Sequence, residues 1–90
     1  MKRYIIEREI PEVGTFEREQ LKGAAAKSNE ALAQLAPKIQ WVHSYVAANQ
    51  TFCVYLAESE ADIQRHAEIS GFPANRITEI GKIIDPTTAR

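Results

Sequence analysis

Two short runs in the middle of the chain, WVHSYV and TFCVYL, alternate strictly between two kinds of side chain. Trp41, His43 and Tyr45 alternate with Val42, Ser44 and Val46. After the connection Ala47 to Gln50, Thr51, Cys53 and Tyr55 alternate with Phe52, Val54 and Leu56. A repeat of two is the period of a strand, and two such runs so close together predict a β-hairpin. No Asn-Gly pair fixes a two-residue turn, so the register stays open. One face of this hairpin is plain hydrocarbon, which needs a core. The other gathers indole, imidazole, thiol and phenols, which can hold a ligand.

The flanking segments supply the rest of a fold. Lys2 to Ile10 reads as a strand with Tyr4, Ile6 and Ile10 on one side and Arg3, Ile5, Glu7 and Glu9 on the other, broken by Pro11 and Gly14. Thr15 is an expected N-cap, with Glu17 and Glu19 in the first turn where the helix dipole favours anions. Leu21, Ala25, Ser28, Leu32 and Leu35 then mark one face of an amphipathic helix that runs to Ala36 and ends at Pro37. Ser59 to Asp62 has the capping-box pattern of a second helix, with Ile63, Ala67 and Ser70 as its stripe and Gly71 and Pro73 as its stop. Arg76 to Ile84 predicts a last strand, and Asp85 to Arg90 a short tail.

The order βαββαβ specifies an α+β, ferredoxin-like domain over residues 1–90: a four-stranded antiparallel sheet with both helices on one face. Hydrocarbon alternation assigns Tyr4, Ile6, Ile10, Val42, Val46, Phe52, Val54, Leu56 and Ile80 to the helix side. Glu7, Trp41, His43, Tyr45, Cys53, Tyr55 and Glu79 are then expected on the open side. Large aromatics on an uncovered face call for a partner, most simply a second copy packed sheet to sheet as a homodimer.

Composition narrows the function classes. The 90 residues bury only about 60–65% of the surface of the unfolded chain. A net charge of −1 gives no reason to expect nucleic acid or an anionic membrane as partner. A strand-like start and the lack of a long apolar run lead us to expect a cytoplasmic protein without signal peptide or membrane span. The single Cys53 rules out an intrachain disulfide and any paired-cysteine zinc motif.

On the expected open face, His43, Glu7, Glu79 and Cys53 come from four strands. One nitrogen, two carboxylates and a soft sulfur suit a first-row ion such as Ni²⁺, Cu²⁺ or Zn²⁺ better than Mg²⁺ or Ca²⁺. Trp41, Tyr45 and Tyr55 are the expected ligand-contacting or interface rings. Plainer roles stand beside these: an interfacial histidine, a small buried thiol, and glutamates paired with Arg3, Arg8 or Arg76. His66, beside Arg65 and Glu68, is expected on a solvated helix face. Catalysis finds little support, because no helix N-terminus or glycine-rich turn adjoins Cys53 and no phosphate loop is present. The runner-up is a cofactor-independent enzyme or small-molecule binder that uses the same cavity, with His43 as proton acceptor.

WVHSYV, TFCVY, the capped second helix and GFPANRITEI together resemble a family of small bacterial proteins long known as a domain of unknown function. Its characterised actinobacterial member binds nickel. The similarity runs from RYIIER to Asp85-Pro86 and is weakest in the first helix. It implies a cytosolic, dimeric ferredoxin-like α/β-barrel with Ni²⁺ held by acids and histidine. Trp41, His43, Ser44, Tyr45, Phe52, Cys53, Tyr55, Ile77, Thr78 and Glu79 are its family-like positions.

Overall fold

The computed structural model describes residues Met1–Arg90. Four strands, β1 (Lys2–Glu9), β2 (Ile39–Val46), β3 (Gln50–Ala57) and β4 (Arg76–Ile80), form one antiparallel sheet in the order β2-β3-β1-β4. Helix α1 (Arg18–Leu35) joins β1 to β2, and α2 (Glu60–Ser70) joins β3 to β4. This is the ferredoxin-like arrangement that the order of patterns predicts. No helix is long and apolar enough to cross a membrane.

Local signals account for most element ends. Ser59 is the N-cap of α2, but the expected capping box does not form: its Oγ donates to Asp62 Oδ2 at 3.2 Å and accepts from no backbone N–H of the helix; Gly71 ends α2 in the left-handed region at φ 77°. Helix α1 begins later than expected. Val13–Thr15 forms a 3₁₀ turn in which Thr15 Oγ1 donates to the carbonyl of Glu12 at 2.7 Å, so Thr15 is not the cap. Glu17 takes that position, its N–H donating to Gln20 Oε1 at 2.9 Å. Strand β4 stops at Ile80; beyond Gly81 there is no neighbouring strand, and Ile83 and Ile84 lie exposed.

Face assignment is where the structure departs from the alternation argument. Strand β1 pairs Tyr4 with Tyr55, Ile6 with Cys53 and Arg8 with Thr51, and residues directly opposed across a ladder share a face. Tyr4, Ile6, Cys53 and Tyr55 are all buried, packed with Ile39, Ala57 and Ile63 of α2 into the core. Cys53 and Tyr55 therefore face the helices, and Phe52, Val54, Leu56 and Ile80, expected there, lie on the opposite side. Both faces of β3 are apolar enough to be buried, so its side-chain pattern did not identify the core side; its register against β1 does.

A bulge reverses the parity again within β2. Trp41 pairs with Tyr55 but His43 pairs with Val54, which leaves Val42 as the extra residue. Trp41 thus shares the helix face with Tyr55, whereas His43 and Tyr45 (opposite Phe52) point to the helix-free face. Ser44 and Val46, opposite Cys53 and Thr51, return to the helix side.

The hairpin loop is pinned to the segment after β1. Gly14 N–H donates to the carbonyl of Ala48 at 2.9 Å, and a Cβ on Gly14 would come within 2.8 Å of Ala47 O and Ala48 Cα. Gly23, in mid-helix, has nothing within 4 Å of its virtual Cβ. The two glycines should therefore respond with opposite sign. Gly14→Ala is expected to cost about 1–3 kcal/mol through backbone displacement, and Gly23→Ala to add about 0.5–1 kcal/mol, both read by urea unfolding.

Candidate functional site

A cavity of about 450 Å³ opens between α1 and the helix side of the sheet, within the ~300–1,000 Å³ range of small-molecule sites. Most of its wall is apolar, from Trp41 and Cys53 on the strands to Leu21 and Ala25 on α1 and Phe72 after α2. The small residues Ala24 and Ala25 on the inner stripe of α1 leave the space that larger side chains would fill.

A chain of buried polar groups runs along one wall. Tyr55 OH lies 3.2 Å from Ser28 Oγ, which lies 3.1 Å from His66 Nε2, so one sheet residue is tied to both helices. His66 and Ser28 are 0% and 4% exposed. Burial pushes the Tyr55 phenol above its ordinary value, so it stays protonated. Burial, assisted by the positive charge of Arg8, pulls the His66 imidazole down to about 4. Arg8, 2% exposed, donates from Nη1 to the carbonyl of Pro73 at 2.7 Å and lies 6.0 Å from the ring centre of Phe72. Neither Arg8 Nη2 nor His66 Nδ1 has a hydrogen-bond partner.

The seven residues singled out from sequence do not form one site. Cys53 and Tyr55 are in the core and Trp41 is in the cavity wall, its Nε1 donating to Ser44 Oγ at 2.9 Å. His43 and Tyr45 are exposed on the helix-free face, where His43 Nε2 and Tyr45 OH are 3.1 Å apart. Glu7 is on that same face and meets Arg76 at 3.8 Å, while Glu79, opposite Tyr4 in the edge strand, meets Lys2 at 3.8 Å. Within one chain no three His, Cys, Asp or Glu side chains gather as a metal ion would require. The expectation that all seven share a face fails because β3 turns its other side to the helices, the bulge separates Trp41 from His43, and the register of β4 puts Glu79 in step with Tyr4 on the helix side.

A family model described as nickel responsive protein SCO4226-like matches residues 4–80. The chain belongs to that family. The crystal structure of SCO4226 from Streptomyces coelicolor A3(2) superposes on it with a TM-score of 0.76 at 15% identity, covering 91% of this chain and 99% of that one. That likeness is one of fold. No curated protein matches the chain in sequence.

Two buried polar residues of this SCO4226-like chain lie outside the set singled out from sequence: Arg8, in the cavity wall, and His66, which is hydrogen-bonded to the wall residue Ser28. Arg8 lies in step with Tyr4 and Ile6, and that parity alone was enough to bury it. His66 follows Ile63 by three and precedes Ser70 by four, the spacing of the buried stripe, and is not the solvated residue expected from its charged neighbours.

His66 should leave a mark on stability. In the unfolded chain it takes up a proton near pH 6.5, and in the folded protein only near pH 4. The folded state is thus favoured in full above pH 6.5 and loses on the order of 3 kcal/mol as pH falls from there to 4. Urea unfolding of wild type and His66→Gln between pH 7 and 4 should show a shallower decline in the variant; equal slopes would contradict this role.

Proposed function

We propose that the protein is a nickel-binding homodimer whose two copies pack sheet to sheet, with His43 as the nitrogen ligand on the shared face. The observation that carries this reading is the position of His43. The bulge in β2 turns its imidazole out onto the helix-free face, where Nε2 lies 3.1 Å from Tyr45 OH and the ring is exposed. A hydroxyl that orients one ring nitrogen is a common support for a metal-binding histidine. The nickel-responsive description of the family points to the same metal.

The donor set suits a shared site and not a site within one chain. Glu7 shares the face of His43 but is on β1, with β3 between them, so the two strands are about 9.6 Å apart. One copy therefore presents a nitrogen and a carboxylate that do not meet. A two-fold axis through the sheet face would bring His43 of one copy toward Glu7 of the other, an N,O donor set that fits Ni²⁺. Cys53, buried on the far side of the sheet, and Glu79, at the edge with Lys2, are not part of this set.

The apolar middle of the same face supports the dimer. Ile5, Phe52, Leu56 and Ile80, each half-buried, line up around the buried Val54 across the central strands of this face. Tyr45 at 61% exposure extends the patch toward the free edge of β2. Contiguous apolar surface of this kind is characteristic of an interface.

Calorimetric titration of the apo protein with Ni²⁺ at pH 7.5 should give saturable binding that weakens about 10–100-fold in His43→Ala. Unchanged affinity would remove His43 from the site. Sedimentation should find wild type dimeric and Phe52→Glu monomeric, with nickel binding lost in the monomer; a monomeric wild type that still binds nickel would break the link between site and interface.

A further inference from the structure

Arg8 is a permanent cation sealed in an apolar wall with no anion beside it. A guanidinium does not give up its proton in a protein, so burial cannot neutralise it as it neutralises His66. The ion pairs of the chain are Lys2 with Glu79, Arg65 with Glu68 and Arg76 with Glu7; none involves Arg8. Its nearest groups are the carbonyl of Pro73, which accepts from Nη1, the face of Phe72 and the Tyr55 hydroxyl, all of them neutral, and Nη2 is unpartnered. One bond to a carbonyl is a task for any buried donor and does not account for a full charge, whose burial is costly unless compensated.

We propose that the cavity between α1 and the sheet binds a small organic monoanion, a carboxylate on an apolar or aromatic body, with the carboxylate paired to Arg8. This goes beyond the nickel reading and uses the opposite side of the sheet. The wall next to Arg8 supplies neutral hydrogen-bonding groups, Tyr55 OH and Ser28 Oγ, but no countercharge. The phenol stays protonated and the imidazole behind it uncharged, so that cluster cannot balance the guanidinium. Glu9 is the one carboxylate on the cavity lining, and it is exposed to solvent and unpaired.

The remaining wall selects the body of the ligand. Trp41, Phe16, Leu21 and Ala25 offer hydrocarbon and ring faces, which suits an aromatic or branched aliphatic group better than a polyol or nucleotide. Phe72 lies over the guanidinium and also has Lys27 Nζ at 5.5 Å from its ring, so the charge at that end is positive from two sides. Nη2 is shut off from solvent in this conformation. The proposal requires the ring of Phe72, which follows the left-handed Gly71, to move aside so that the ligand's carboxylate reaches Nη2. A planar carboxylate then matches the two-pronged donor geometry of arginine.

Trp41 is the chain's one tryptophan and lies in the cavity wall, so its emission reports occupancy. The apo protein is titrated with 4-tert-butylbenzoate, the matched 4-tert-butylbenzamide and inorganic phosphate. Saturable change with the benzoate, at least about tenfold tighter than with the amide, is expected, with phosphate weak. Arg8→Met should bring the benzoate down to the level of the amide. Ala25→Leu, which fills part of the cavity and leaves Arg8 in place, should weaken both organic probes, and it decides the matter together with the wild-type comparison if Arg8→Met does not fold. Equal binding of benzoate and amide, benzoate affinity unchanged in Arg8→Met or in Ala25→Leu, or phosphate binding as tightly as benzoate would each overturn the proposal.

Discussion

The pairing of Ile6 with Cys53 sets which side of the sheet becomes the core, and most of the molecule follows from it. Strand β3 is apolar on both faces and is placed between β2 and β1, so on its own it could present either side to the helices. Strand β1 has no such freedom, because Glu7 and Glu9 alternate with Tyr4 and Ile6 and only one of its faces can be buried. Once β1 turns Tyr4 and Ile6 inward, the ladder carries Cys53 and Tyr55 with them. Phe52, Val54 and Leu56 are left on the outside. A slip of one residue in this register would reverse every assignment on both faces.

Tyr55 then fixes the helix layer onto that side. Its hydroxyl meets Ser28 of α1, and Ser28 meets His66 of α2, so a single buried chain of polar atoms holds both helices to the central strand. Such a network favours one arrangement of the layers over others because each broken link would strand a buried donor or acceptor. The same packing leaves Arg8 enclosed at the end of the network, where hydrophobic burial and neutral hydrogen bonds satisfy its surroundings but not its charge. The cavity and its cation are thus by-products of the contacts that build the core, with the small residues of α1 providing the space.

The fold was legible in the sequence because element type and order rest on local periodicity, and both helices and all four strands carry it. Boundaries failed where tertiary contacts took over, as when the 3₁₀ turn used Thr15 and passed the capping role to Glu17. The candidate site was much less legible. Alternation groups residues into faces but cannot say which face is inside when a strand is apolar on both, and a bulge is invisible to it. Val42 carries no glycine or proline to announce the extra residue, yet it separates Trp41 from His43 and so takes apart the constellation that an unbroken strand would have built. Arg8 and His66 escape the sequence reading for a simpler reason: the charge of Arg8 and the charged neighbours of His66 suggest solvent, whereas their positions in the two repeats place both inside.

These two departures together divide the chemistry of the sheet between its faces. Without the bulge, Trp41, His43 and Tyr45 would have stayed in step, and the ring that lines the cavity would have shared a face with the exposed imidazole. With it, the indole joins Tyr55 and Cys53 beside an apolar cavity, while the imidazole and Tyr45 join the apolar patch on the other side. An ion that needs exchangeable, solvated donors is suited to the outer face, where His43 and Glu7 are accessible. A ligand that needs hydrocarbon and one compensating charge is suited to the inner one, where Arg8 has neither solvent nor anion. The central strand β3 separates the two environments by one sheet thickness, with Cys53 and Tyr55 on the cavity side and Phe52 and Val54 on the other.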